Sequence, residues 1–323
     1  MDEALRFFER SIEIRTNNFK SYFRLGELYE DELYPNVEPR EGEPDFLESA
    51  LTNYKQSAQY GYNKAIYRIA LLYFNVPHLR SPRCIKYFGD LANVDTKLTE
   101  IRLEEEDRDE LDFVIGSAAY QMGRIYEGLY PGDLTADSAF VTKCLELAPV
   151  NWNKALAYYN KASRLNNVNA QVRLGKVYEN GELDRQQNLG KSIQWYLKAS
   201  RLLNPSERHY QAMLGLSRWY MTGTGGMSKL IPYPDPVNAL LWCDRALELN
   251  AAEAYFQRGL LAEQGLGAEP AEQFLQHAYE MGHEEAGARW TYVDSEPEYD
   301  EPEIEPDAEA EAYEYNPEEE FKI

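Results

Sequence analysis

Residues Val168–Leu183 read VNAQVRLGKVYENGEL, and the way this stretch returns along the chain decides the fold. With Ala170 as origin, Gly175 follows at position +5 and Tyr178 at +8. The same register gives Ser21, Gly26 and Tyr29; Ala65, Ala70 and Tyr73; Ala118, Gly123 and Tyr126; Ala212, Ser217 and Tyr220; and Ala254 and Gly259, with Ala262 in the tyrosine place. Positions 0, +5 and +8 lie on one side of an α-helix. The small residues admit a neighbouring helix and the tyrosine fills the space beyond. Gly26, Tyr29, Tyr73, Gly123, Tyr126, Gly175, Tyr178, Tyr220 and Gly259 are therefore the expected packing residues of this helix, helix A.

A second pattern alternates with the first. In KALAYYNKAS, Ala155 leads to Tyr158 and Tyr159 at +3 and +4, then to Ala162 and Ser163 at +7 and +8. It recurs from Ala4, Ala50, Cys84, Ser192, Ala239 and Ala271. Offsets of three, four, seven and eight mark an amphipathic helix, helix B. Four residues before an A origin stands Gly61, Asn166, Asn250 or Gly282. These residue types tolerate the left-handed conformation that ends a helix, so B stops there and the next A begins.

A helix pair of this kind cannot bury its aromatic face alone, and stacking does it. The expected fold is all-α: a right-handed α-solenoid of about six A–B pairs over residues 1–293, with half-repeats at both ends. Met1 falls almost at the start of a helix B, as a cap or as part of something longer. Glu30–Asp45, Asn93–Asp112, Leu129–Val150 and Met221–Pro236 are read as connections outside the stack.

The formal net charge is −22, which argues against a general nucleic-acid binder, since phosphate recognition needs a basic footprint. Residues 294–323 hold 14 of the acidic side chains and one basic one; this stretch is read as a disordered acidic tail. No run of about 18 apolar residues is present to span a membrane, so direct membrane insertion is not expected. The chain ends FKI, with no cysteine near for a prenyl anchor. Cys84, Cys144 and Cys243 form no CxxC pair and are read as small packing residues.

Catalytic, cofactor and metal signatures are not found. His78, His209, His277 and His283 show no metal spacing, with His277 and His283 expected at the surface. Gly223–Lys229, GTGGMSK, lacks the spacing of a phosphate loop and is read as an A–B loop. One pattern on helix A does suggest binding. Positions +3 and +6 share a face and carry six basic side chains: Arg24, Arg68, Arg124, Arg173, Lys176 and Arg218. They predict a basic groove for an acidic peptide segment, because Arg pairs carboxylates in forked geometry. The competing reading is that they are solvated residues whose aliphatic stems cover the stack.

Several A helices end in a tyrosine followed by glycine, as in YEGLY, YENGEL and YMTGTGG, and helix B carries A..YY.KA from Ala155 and S..WY.KA from Ser192. That combination resembles the Sel1-like repeat family, a tetratricopeptide-like class, over roughly 1–290. Within it, MLGLSRWYMTG followed by PDPVNALLWCDRALELNAAEAYFQRGLLAEQGLG looks like the repeats of fungal chitin synthase activators. The resemblance implies a non-catalytic interaction scaffold, without cofactor or metal, acting as a regulatory subunit of a fungal chitin synthase or in cell-wall integrity signalling. Its partner would be a protein, such as a chitin synthase, and its location cytoplasmic, at the plasma membrane through that partner. Two alternatives stay open: a Sel1 adaptor in protein quality control, and an enzyme with a site in Asn93–Asp112 or Met221–Pro236.

Overall fold

Asn166 and Asn167 carry the chain from one helix into the next. Asn166 adopts a left-handed φ of 57°, and the amide of Asn167 reaches back to the Ala162 carbonyl at 3.0 Å. The Asn167 side chain then accepts the Ala170 amide at 3.0 Å and starts the following helix. At the equivalent positions Gly61, Asn250 and Gly282 hold φ of 80°, 49° and 88°, as the junction pattern requires.

The computed structural model describes residues 2–33, 45–94, 105–131, 138–201 and 209–293. Over these the chain is helical, without strands. Helix α1 (Asp2–Ile14) is the leading half-repeat. Pair one is α2 (Phe19–Glu27), continued by a π-helical turn over Leu28–Leu33, and α3 (Phe46–Gln59). Pair two is α4 (Asn63–Asn75) and α5 (Arg83–Ala92). Pair three is α6 (Glu105–Glu127) and α8 (Trp152–Arg164), with α7 (Ser138–Leu147) between them. Pairs four, five and six are α9 (Val168–Asn180) with α10 (Leu189–Ser200), α11 (Tyr210–Thr222) with α12 (Pro236–Leu247), and α13 (Ala252–Glu263) with α14 (Ala271–Glu280). The short α15 (Glu284–Val293) follows. The acidic tail lies outside the described residues.

Two connections are more structured than the sequence reading expected. Glu105–Asp112 belongs to α6, which starts three turns ahead of its origin Ala118. Its charge density looked like a linker, but Glu and Arg are good helix formers. Leu111, Val114, Ile115 and Ala118 keep helical spacing and are buried. Leu129–Val150 holds α7, whose Phe140 and Cys144 are buried; the Phe140 ring lies 6.5 Å from that of Phe74.

Buried side chains form three clusters in file rather than one centre, the arrangement of a solenoid. Within a pair, the key contact joins B position +4 to A position +5. A Cβ added at Gly26 would lie 2.6 Å from the Tyr54 ring, and one at Gly123 or Gly175 would lie 2.5 Å from the ring of Tyr159 or Tyr196. All three tyrosines are fully buried, so each ring lies directly on helix A backbone. Where +5 is larger, +4 loses its hydroxyl or its ring: Ala70 goes with Phe88 and Ser217 with Cys243. The +8 tyrosines of helix A lie at the edge of this contact, Tyr73 buried and the others half-buried. Tyr126 stacks on Tyr158 at 5.7 Å, and Tyr29 on Phe46 at 6.2 Å.

Candidate functional site

The buried tyrosine hydroxyls need partners, and helix A supplies them one residue beyond its own tyrosine. Tyr54 donates to Glu30 Oε2 at 2.7 Å, Tyr159 to Glu127 Oε2 at 2.6 Å, and Tyr196 to Glu179. Each glutamate then faces an arginine from the next helix A. Arg68 lies 3.5 Å from Glu30 and 2.9 Å from Asp31. Arg173 donates from Nε to Glu127 at 3.1 Å and pairs with Glu182 at 2.5 Å. Arg218 lies 3.8 Å from Glu179. At the far end Glu263 pairs with Arg289 in the same register. The result is a Tyr–Glu–Arg ladder with three rungs, interrupted at pairs two and five, where Phe74 and Met221 stand in the glutamate place.

Burial sets the electrostatics of the ladder. It pushes the Glu30 carboxyl up, against the pull of Arg68. It raises the hydroxyls of Tyr54, Tyr159 and Tyr196 far above the usual phenol range, with the neighbouring glutamates adding to the shift. Burial works against the Arg173 charge, but Glu127 and Glu182 outweigh it and raise its pKa.

Three of the six basic residues expected in a groove, Arg68, Arg173 and Arg218, therefore face glutamates of the preceding repeat. Arg24 pairs with Glu27 in its own helix at 2.7 Å. Arg124 donates to Gln121 at 3.2 Å and covers the Phe74 ring at 5.7 Å. Lys176 donates to Gln211 at 3.1 Å. The glutamates were missed, yet the sequence carries their signal: the pair Tyr-Glu recurs at 29–30, 126–127 and 178–179. Arg258 was missed as well. It is buried and binds Asp244 and Glu269, both at 2.9 Å.

Other polar groups are absorbed by local structure. In the loop after α11, Thr224 Oγ1 donates to the Ile231 carbonyl at 2.8 Å and accepts the Ser228 amide at 3.0 Å. Gly223–Lys229 is thus a self-bonded connection. His209 and His283 accept the amides of Gln211 and Ala286, both at 3.3 Å, as helix caps. His283 also stacks on Phe256 at 4.3 Å, so it is half-buried rather than a free surface residue. Cys84, Cys144 and Cys243 are buried and unpaired. Among the described residues no three of His, Cys, Asp or Glu gather to hold a metal ion, and no helix is long and apolar enough to cross a membrane.

A hollow of about 210 Å³ lies where α2, α4 and α6 begin, lined by Phe19, Lys20, Tyr62, Lys64, Glu110 and Leu111. A second, of about 300 Å³, lies between α10 and the loop before α12, lined by Gln194, Leu197, Lys198, Arg201 and Leu230.

Comparison with known proteins agrees with this geometry. The sequence profile of the Sel1 repeat matches residues 148–167, 168–202 and 210–250, which are helix B of pair three and then pairs four and five. Chitin synthase regulatory factor 3 of Schizosaccharomyces pombe is 30% identical over 215 residues, 66% of this chain and 19% of that protein. Chitin synthase regulatory factor 2 of the same yeast is 27% identical over 205 residues, 63% of this chain and 33% of that protein. The chain thus spans a third or less of the length of these two relatives. The crystal structure of a Sel1 repeat protein from Oxalobacter formigenes superposes with a TM-score of 0.55 at 19% identity, over 85% of this chain and 89% of that one; it shares the fold. With its repeat register, its stacked pairs and these matches, the chain carries Sel1 repeats over residues 148–202 and 210–250 and shares the fold of Sel1-repeat proteins.

Proposed function

We propose that this protein is a non-catalytic scaffold that regulates a fungal cell-wall synthase, with a chitin synthase as its partner. The observation that carries the reading is the 30% identity to chitin synthase regulatory factor 3 over 215 residues, a span that requires many repeats to correspond. The architecture supports it. The polar side chains of the stack are spent on ladders and caps, and a solenoid leaves long helix rows for partners. On the A row, Arg124, which donates to Gln121 and covers the Phe74 ring, is the cation offered to an acidic segment. The protein would reach the membrane through its partner.

Affinity purification of the tagged chain from fungal membranes tests this. A chitin synthase should be recovered, and synthase activity should fall when the chain is removed. Recovery of endoplasmic-reticulum degradation machinery in its place, with synthase activity unchanged, would replace the synthase reading by the quality-control one.

A further inference from the structure

The B-helix row carries a second basic pattern, independent of the stripe on the A row. Relative to the B origins, positions −1, +6 and +9 hold Lys154, Lys161 and Arg164 in α8, and Lys191, Lys198 and Arg201 in and just after α10. These offsets fall within one face of a helix. No other B helix repeats the set: the same positions are Ser49, Gln56 and Gln59 in α3, Arg83, Asp90 and Asn93 at α5, and Asn238, Arg245 and Glu248 at α12. Six cations thus stand on two helices that contain no acidic residue, in a chain of net charge −22.

The structure places the two sets side by side. Lys198 Nζ donates to the Ser163 carbonyl of α8 at 2.9 Å, and Lys161 does the same to Ala92 of α5. Lys154 covers the Tyr126 ring at 5.0 Å and Lys191 the Tyr178 ring at 4.9 Å. These contacts orient the ammonium groups but do not neutralise them, since carbonyls and rings carry no net charge. Arg164 and Arg201 are exposed. Beside Lys198 and Arg201 lies the hollow of about 300 Å³, with Leu197 and Leu230 in its wall. An apolar recess rimmed by unneutralised cations suits a carboxylate-rich segment that carries an aromatic side chain.

One segment of this chain has that chemistry. Residues 294–323 hold 14 carboxylates, with Tyr299, Tyr313, Tyr315 and Phe321 among them. We propose that the B-row face of α8 and α10 is a docking surface for the chain's own acidic stretch 294–323. The stretch follows α15, two pairs further along the stack. Thirty extended residues reach roughly 100 Å, well beyond the few helix spacings of about 10 Å that separate the two. Tethering gives the stretch an effective concentration on the order of millimolar, which an acidic partner protein of the same intrinsic affinity would have to exceed to take its place. The proposal does not depend on which enzyme the scaffold regulates.

Zero-length carbodiimide coupling of the full chain tests it, because it joins an amine to a carboxylate only where the two are in contact. Mapped by mass spectrometry, links from 294–323 should concentrate on Lys154, Lys161, Lys191 and Lys198. They should drop at least tenfold in molar salt, where the screening length is about 3 Å, and drop similarly in the Arg164→Glu/Arg201→Glu variant. Those two arginines are exposed, so circular dichroism of that variant should match the parent. Links spread evenly over Lys20, Lys55, Lys86 and the four named lysines would overturn the proposal. So would links found only between chains when labelled and unlabelled protein are mixed. Sedimentation with vesicles containing phosphatidylserine is the second arm. Binding lost in the same variant, with the tail links unaffected by salt, would assign the face to a lipid surface instead.

Discussion

Replacing Gly175 by Ala tests the central contact of the fold. A methyl there would lie 2.5 Å from Cε1 and 2.7 Å from Cδ1 of Tyr196, about 1 Å inside ordinary van der Waals separation. The ring cannot retreat. On its other edge it meets Gly215 of α11, where an added Cβ would lie 2.8 Å from Cε2, and its hydroxyl is held by Glu179. Helices α9 and α10 must therefore move apart. Overpacking a core costs about 1–3 kcal/mol, and pinning on both edges places this site at the upper end. Ala gains about 1 kcal/mol over Gly in a helix, so the net loss is about 2 kcal/mol. Gly89 in α5 is the control, since nothing lies within 4 Å of a Cβ added there. Gly89→Ala should stabilise by about 1 kcal/mol, so one chemical change should move stability in opposite directions at two sites. Urea unfolding followed by circular dichroism reads both. Amide hydrogen exchange in α9 and α10 adds a local reading, because a solenoid opens in parts. In a Tyr196→Ala background the Gly175→Ala loss should vanish and leave only the helix-propensity gain. If Gly175→Ala stabilised the protein as Gly89→Ala does, the direct seating of ring on backbone would be wrong.

Asn166→Ala should cost about 1 kcal/mol, because Asn166 sits at φ 57° and a Cβ without a local hydrogen bond is penalised there; Asn166→Gly should be nearly neutral, and the two urea midpoints compare them. Glu127→Gln should cost about 3 kcal/mol, as breaking a buried pair does, since it weakens the hold on both Tyr159 and Arg173; a loss well under 1 kcal/mol in urea would show the ladder to be ornamental. Burial, with Lys176 adding to it, holds the His209 imidazole below its ordinary value. The unfolded chain then binds the extra proton more readily, so this contribution is complete above about pH 6.5 and is lost as pH falls through the folded pKa. His209→Asn, which can still cap α11, should remove that part of the acid sensitivity in urea midpoints taken across this range.

Much of the architecture was legible because it rests on local rules repeated many times. Small residues at 0 and +5, aromatics at +3 and +4, and Gly or Asn at each junction are properties of single helices and their ends, and they mark the A–B alternation without coordinates. The same locality explains where the reading fell short. Glu105–Asp112 reads as a linker on its charge, although its one apolar residue, Leu111, opens the helical period that Val114, Ile115 and Ala118 continue in α6. Helix α7 has no place in the repeat and was therefore invisible as one of its parts.

The fate of the charged residues was decided only by tertiary structure. From the sequence, Arg68, Arg173 and Arg218 are cations on an exposed helix face. In the stack, each lies against a glutamate some forty positions earlier, an encounter set by how one pair rests on the next. Burial then gives each tyrosine hydroxyl a need for that same carboxylate. Periodicity in the chain determines which residues share a helix face. Only the packing of one repeat on another determines which charges remain free, because pairing depends on distances across the stack.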